Sequence, residues 1–114
     1  MRRRLALALL AGLAGCGGPD RIPTCGPAEA LVENASALAI EQVYLARAGA
    51  AGWGANLLGQ RHLPSGATMP IRFAGTGSYS LRMVWVDGRA VEMPAVDGCT
   101  VRRITVLDDE LRAE

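Results

Sequence analysis

A chain of 114 residues with twelve arginines, no lysine, eleven acids and a formal net charge of +1 has room for one domain and one modest core. Three of the arginines, Arg2 to Arg4, open the chain; after Cys16, nine arginines face eleven acids, a net of −2. Length sets a second domain aside, and the missing cationic surface sets nucleic acid aside, because counterion release needs concentrated positive charge.

Arg2-Arg3-Arg4, the apolar run from Leu5 to Leu13 and the small pair Ala14-Gly15 form a charged head, a short apolar middle and a cleavable exit. That is the grammar of a secretory signal over residues 1–15, too short to span a bilayer. Leu13-Ala14-Gly15-Cys16 resembles a bacterial lipobox, and the resemblance implies that Cys16 is lipidated and becomes the first mature residue. Three acyl chains, palmitate among them, would anchor the protein stably, since one chain holds only marginally and each buried methylene adds about 0.8 kcal/mol. Position 17 is glycine and not the aspartate that usually retains such lipoproteins at the inner membrane. The expected place is therefore the periplasmic side of the envelope, at the outer membrane. Residues 16–27 follow as the lipidated N-terminus and a flexible tether, with three prolines and three glycines between Gly17 and Pro27.

With Cys16 taken by lipid, Cys25 and Cys99 are left as one pair in an oxidising compartment, where a disulfide is expected. A redox or metal role for them is weaker: there is no Cys-x-x-Cys, and the single histidine, His62, has no partner at ligand spacing.

A domain over residues 28–107 begins with the stretch Ala28 to Arg47, which divides between helix and strands, with local pattern slightly favouring helix. Leu31, Ala35, Leu38 and Leu45 fit helical spacing. The same residues divide into two strands, Ala30 to Asn34 and Leu38 to Ala46, around Asn34-Ala35-Ser36, with a bulge needed near Glu41-Gln42. Trp53-Gly54-Ala55-Asn56-Leu57-Leu58-Gly59 is a glycine-punctuated connection whose large apolar side chains are expected to cover part of the core. After the turn Leu63-Pro64-Ser65-Gly66, Met69, Ile71 and Phe73 alternate with polar or proline positions. Beyond Gly75-Thr76-Gly77, read as a hairpin, Tyr79, Leu81, Met83 and Trp85 alternate with Ser78, Ser80 and Arg82. Asp87-Gly88 reads as a two-residue type I′ turn that sets Val86 against Arg89 and Val84 against Val91, a hairpin apolar on both faces. A last strand, Cys99 to Leu107, precedes a charged tail, residues 108–114, expected to fray.

Short strands with frequent turns describe an all-β fold, a small antiparallel β-sandwich of six to seven strands. Several blocks, taken in order, resemble an uncharacterised family of small exported bacterial β-rich proteins. They are Glu33-Asn34-Ala35-Ser36, Val43-Tyr44-Leu45, Trp53 to Gly59, Leu63-Pro64-Ser65-Gly66, Tyr79-Ser80-Leu81-Arg82, Asp87-Gly88 and Val96-Asp97-Gly98-Cys99. The resemblance implies strands and not a helix over residues 28–47, and brings no established activity.

Catalytic constellations are thin. No Gly-x-Ser-x-Gly turn, His-Glu-x-x-His helix or phosphate-cradling loop occurs, and Asp87, Asp97, Asp108 and Asp109 match no calcium-loop spacing. No catalytic residue, cofactor or metal ligand is expected. Binding is the stronger class, with the membrane engaged through lipid and an envelope protein or glycan as partner. Trp53, if exposed, would stack on a sugar ring or anchor a protein contact; the plainer expectation is that it plugs one end of the core. Arg72 and Arg82, counted onto one face, would grip a carboxylate or an anionic glycan, or simply be solvated. Ser65-Gly66-Ala67 is similar to the Ser-Gly loop of lipoprotein inhibitors of lysozyme, but Thr68-Met69 do not continue that pattern. The first expectation is thus a tethered, non-catalytic binding or accessory protein. A glycan- or hydrolase-binding module is the alternative, and an enzyme using His62 a distant third.

Overall fold

A computed structural model describes residues 24–114, and within them the chain is all-β. The signal segment, Cys16 and the tether up to Pro23 lie outside the described residues. Seven strands form two sheets: β1 (Ala28–Asn34), β2 (Ile40–Arg47), β3 (Thr68–Phe73), β4 (Ser78–Trp85), β5 (Ala90–Asp97), β6 (Arg103–Val106) and β7 (Leu111–Ala113). One sheet runs in the order β3-β1-β6-β7 and the other in the order β2-β4-β5. Residues 28–47 are therefore two strands, and the register shift falls between Ile40 and Gln42, at the bulge expected there.

Alternation builds the core. Ala30, Val32, Ile71, Phe73, Ile104 and Val106 point inward from the first sheet, and Ile40, Val43, Leu81, Met83, Trp85 and Val96 from the second. Each large side chain removed from water contributes roughly 1.5–3 kcal/mol, so the contact between the two inner faces is the main source of stability.

At one end of the sandwich the core is closed by a buried polar knot. Asn34, fully buried, donates from Nδ2 to the carbonyls of Leu38 and Leu63, each at 2.9 Å. Its Oδ1 accepts from the Ser36 backbone N–H at 3.0 Å and from Ser36 Oγ. Ser36 Oγ in turn accepts from Trp85 Nε1 at 2.8 Å, so the indole in the core has its one donor satisfied. The opposite end is closed by the Cys25–Cys99 disulfide, with Cα atoms 5.6 Å apart, and by Tyr79, whose hydroxyl donates to Gly75 O at 2.9 Å. Gly98 is held to glycine there: an added Cβ would stand 2.5 Å from Tyr79 Cε1 and 2.8 Å from Gly75 O.

Several expectations are corrected. The sandwich is not wholly antiparallel, because β1 pairs with β6 in parallel, Val32 opposite Ile104. Gly75-Thr76-Gly77 is not a hairpin: β3 and β4 belong to different sheets, and the segment carries the chain across the sandwich. The Asp87-Gly88 hairpin is shifted by one residue. Gly88 takes φ +91° while Asp87 stays at negative φ, so a type I′ turn does not form. Instead Gly88 N–H donates to Trp85 O and Trp85 N–H to Arg89 O, closing a three-residue loop over Val86, Asp87 and Gly88. Met83 then faces Val91, and Arg82 faces Glu92. One residue of slip exchanges the faces of a strand, so Met83 and Val91 share the inner face while Arg82 and Glu92 share the outer one with Val84 and Ala90. The last strand is shorter than Cys99 to Leu107, because residues 98–100 turn and β6 begins at Arg103. The charged tail is not frayed: Leu111 is buried, and Leu111–Ala113 pairs with β6.

Candidate functional site

The outer face of the β2-β4-β5 sheet is built by the residues that alternate out of the core. Tyr44, Arg82 and Glu92 lie in one cross-strand row, and Ala46 and Ser80 in the next. Arg82 and Glu92 form an ion pair, Arg82 Nη1 to Glu92 Oε2. Tyr44 Oη donates to Gln42 Oε1 at 2.8 Å, which fixes the phenol along the strand.

Onto this row comes Trp53. Its ring lies 6.3 Å from that of Tyr44, tilted by 48°. It belongs neither to the buried core cluster nor to the side chains packed against that cluster. The expectation that it plugs the core is therefore corrected: Trp53 is half-buried, over the outside of the sheet. Only Leu58 of its connection enters the core, while Leu57 is 44% exposed.

Asn56 explains why the connection sits where it does. Its Oδ1 accepts from the N–H groups of Val43 at 2.9 Å and Leu58 at 3.0 Å, and its Nδ2 donates to Glu41 O and Gly59 O. Leu57 N–H donates to Val43 O at 2.8 Å. The bulged edge of β2 thus spends its free polar groups on this connection, which is both an edge cover and the mount for Trp53.

Between Trp53 and the sheet lies a cleft of about 240 Å³, lined by Ala46 and Arg47 of β2, Ser80 of β4 and the segment Gly49–Trp53. No side chain from Gly49 to Gly52 exceeds a methyl group, so backbone is open to whatever enters. Arg47 is occupied at the rim: its guanidinium lies 5.0 Å from the Tyr79 ring centroid and donates to Thr76 O at 2.9 Å.

The two arginines counted onto one face are not together. Arg82 is on the outer face of the second sheet, paired with Glu92, whereas Arg72 is exposed on β3, in the other sheet. The count failed because it assumed that the strands before and after Gly75-Thr76-Gly77 were neighbours. His62 is exposed, beside Arg61 at the rim of a polar hollow of about 160 Å³. Among the described residues, no group of three or more His, Cys, Asp or Glu side chains is arranged to hold a metal ion.

Tyr44 was missed as a site residue. The signal that finds it is parity: once the bulge sends Ile40 and Val43 inward, Tyr44 must point outward, toward the tryptophan connection. Comparison with protein-family models, curated proteins and solved structures finds no match to this chain.

Proposed function

We propose that this protein is a lipid-anchored domain of the bacterial cell envelope that acts by non-catalytic binding, and that the Trp53–Tyr44 face is where it binds. The anchor rests on Leu13-Ala14-Gly15-Cys16, and on the pairing of Cys25 with Cys99, which leaves Cys16 as the thiol available for lipid. The binding reading is supported above all by one observation: a tryptophan stands outside the core on an outward tyrosine, beside a cleft walled by glycine and alanine. A large aromatic held half out of water by a hydrogen-bonded connection presents a rigid apolar face well suited to contact.

Two measurements test this. Mass spectrometry of protein from a native lipoprotein-processing host should find Cys16 as an acylated N-terminus; an unmodified Cys16 would remove the anchor. Pull-down from crosslinked envelope, comparing the wild type with Trp53→Ala, should lose its specific capture in the variant. Capture that is unchanged in Trp53→Ala would remove the face.

A further inference from the structure

Resting on the binding reading above, we infer that the ligand of this face is a neutral glycan chain, laid across the strands from the Trp53 cleft toward Glu92. Three features of the face argue for that chemistry. First, the row's one cation is already paired: Arg82 is bonded to Glu92, while Arg47 stands outside the row, at the cleft rim, held by Thr76 O and the Tyr79 ring. An anionic ligand lying along the row would have to displace Glu92 from Arg82, whereas a neutral ligand leaves that pair intact.

Second, the aromatic surface is set in a polar frame. Gln42 and Arg82 adjoin Tyr44, Glu92 lies beyond Arg82 and Ser80 stands in the next row, and the large apolar residues that are exposed, Leu38, Leu57 and Val86, do not extend its cross-strand rows. A protein hot spot draws its strength from a dehydrated apolar centre. This face offers flat rings for the apolar side of a pyranose and fixed donors and acceptors for its hydroxyl rim.

Third, the row is longer than one ring. Neighbouring strands lie about 4.8 Å apart, so Tyr44, Arg82 and Glu92 extend across three strands, and the Trp53 ring lies 6.3 Å from that of Tyr44 beside the next row. The side-chain-poor wall Gly49–Gly52 lets a sugar reach backbone groups at the tryptophan end.

The test is titration calorimetry on the full acylated protein in detergent. The neutral probes are chitotetraose and cellotetraose, and the anionic probe is tetragalacturonate. Two variants are included, Trp53→Ala and Ala51→Leu, the second filling the cleft while leaving the core untouched. At least one neutral tetrasaccharide is expected to bind, with little dependence on salt, and both variants should weaken it about tenfold or more, the weight of one lost stacking contact. Tighter, salt-sensitive binding of tetragalacturonate would overturn the inference, as would neutral-sugar binding that survives both variants. Failure of all three probes while envelope pull-down still depends on Trp53 would overturn the glycan and leave the binding face standing. Failure of the probes together with Trp53-independent pull-down would remove both.

Discussion

Replacing Asn34 by leucine keeps the number of side-chain heavy atoms while removing all four side-chain hydrogen bonds of Asn34. The carbonyls of Leu38 and Leu63 retain second partners, Ser36 Oγ and Ile40 N–H, so neither is orphaned. The Ser36 backbone N–H, whose bond runs to Asn34 Oδ1, is left without its partner in a buried position. One stranded donor costs about 1–3 kcal/mol and each lost but replaceable bond about 0.5–1.5, offset in part by the apolar side chain; the expected net loss is about 3 kcal/mol. For a domain of this size that lowers Tm by about 15 °C. The assay is urea unfolding followed by near-ultraviolet circular dichroism and Trp85 fluorescence, with the slope m unchanged. The companion variant Ser36→Ala strands Trp85 Nε1 and should cost about 2 kcal/mol. The two losses should not add, because the variants share the Ser36–Asn34 bond. A loss below about 1 kcal/mol for Asn34→Leu, or strict additivity in the double variant, would refute the view that the knot acts as a unit.

Four further outcomes are expected. Opening the disulfide with Cys25→Ser/Cys99→Ser releases a loop whose ends are 74 residues apart, and the chain-entropy relation assigns that closure about 4.5 kcal/mol, readable as a fall in the urea midpoint. Ala95 is the one non-glycine residue at positive φ among the described residues, at 61°, so Ala95→Gly should stabilise by up to about 1 kcal/mol in the same assay. Gly98→Ala should destabilise by about 1–3 kcal/mol, because its Cβ meets backbone at Gly75 and the Tyr79 ring together. The Asp87 carboxyl is held below its ordinary value by hydrogen bonds from the Arg89 side chain and backbone N–H. A depressed folded-state pKa means that this pair's support is present above the ordinary carboxylate range and lost as pH falls through the lowered value. Carbon-detected NMR titration should show Asp87 moving up toward normal in Arg89→Gln.

Strand positions were the most legible part of the fold. Tyr79, Leu81, Met83 and Trp85 alternate so cleanly that β4 follows from parity, and the mismatch between Ile40 and Val43 placed the bulge before any coordinates did. What failed was everything that depended on where a strand goes next. Gly75-Thr76-Gly77 is as suitable for a crossing between sheets as for a hairpin, and assuming the hairpin placed Arg72 beside Arg82. Asp-Gly serves a two-residue loop or a three-residue loop equally well, and the difference inverted the faces of β5. The short strand at Leu111–Ala113 was hidden by its charged neighbours, although the Leu111, Ala113 alternation is there to be read. As for the candidate site, Trp53 was visible as a residue type. Its position was not, because that is decided by a polar side chain, Asn56, binding backbone at a bulge whose location had first to be known.

The first strand of the domain is also one of its most central, since Val32 finds its two neighbours at Met69 and Ile104. A polypeptide delivered from its amino end cannot complete that sheet until β6 has been made, because β1 takes β6 as one of its two neighbours. β6 and β7 act as the latch, and removing them should leave the earlier strands without a finished layer to rest on.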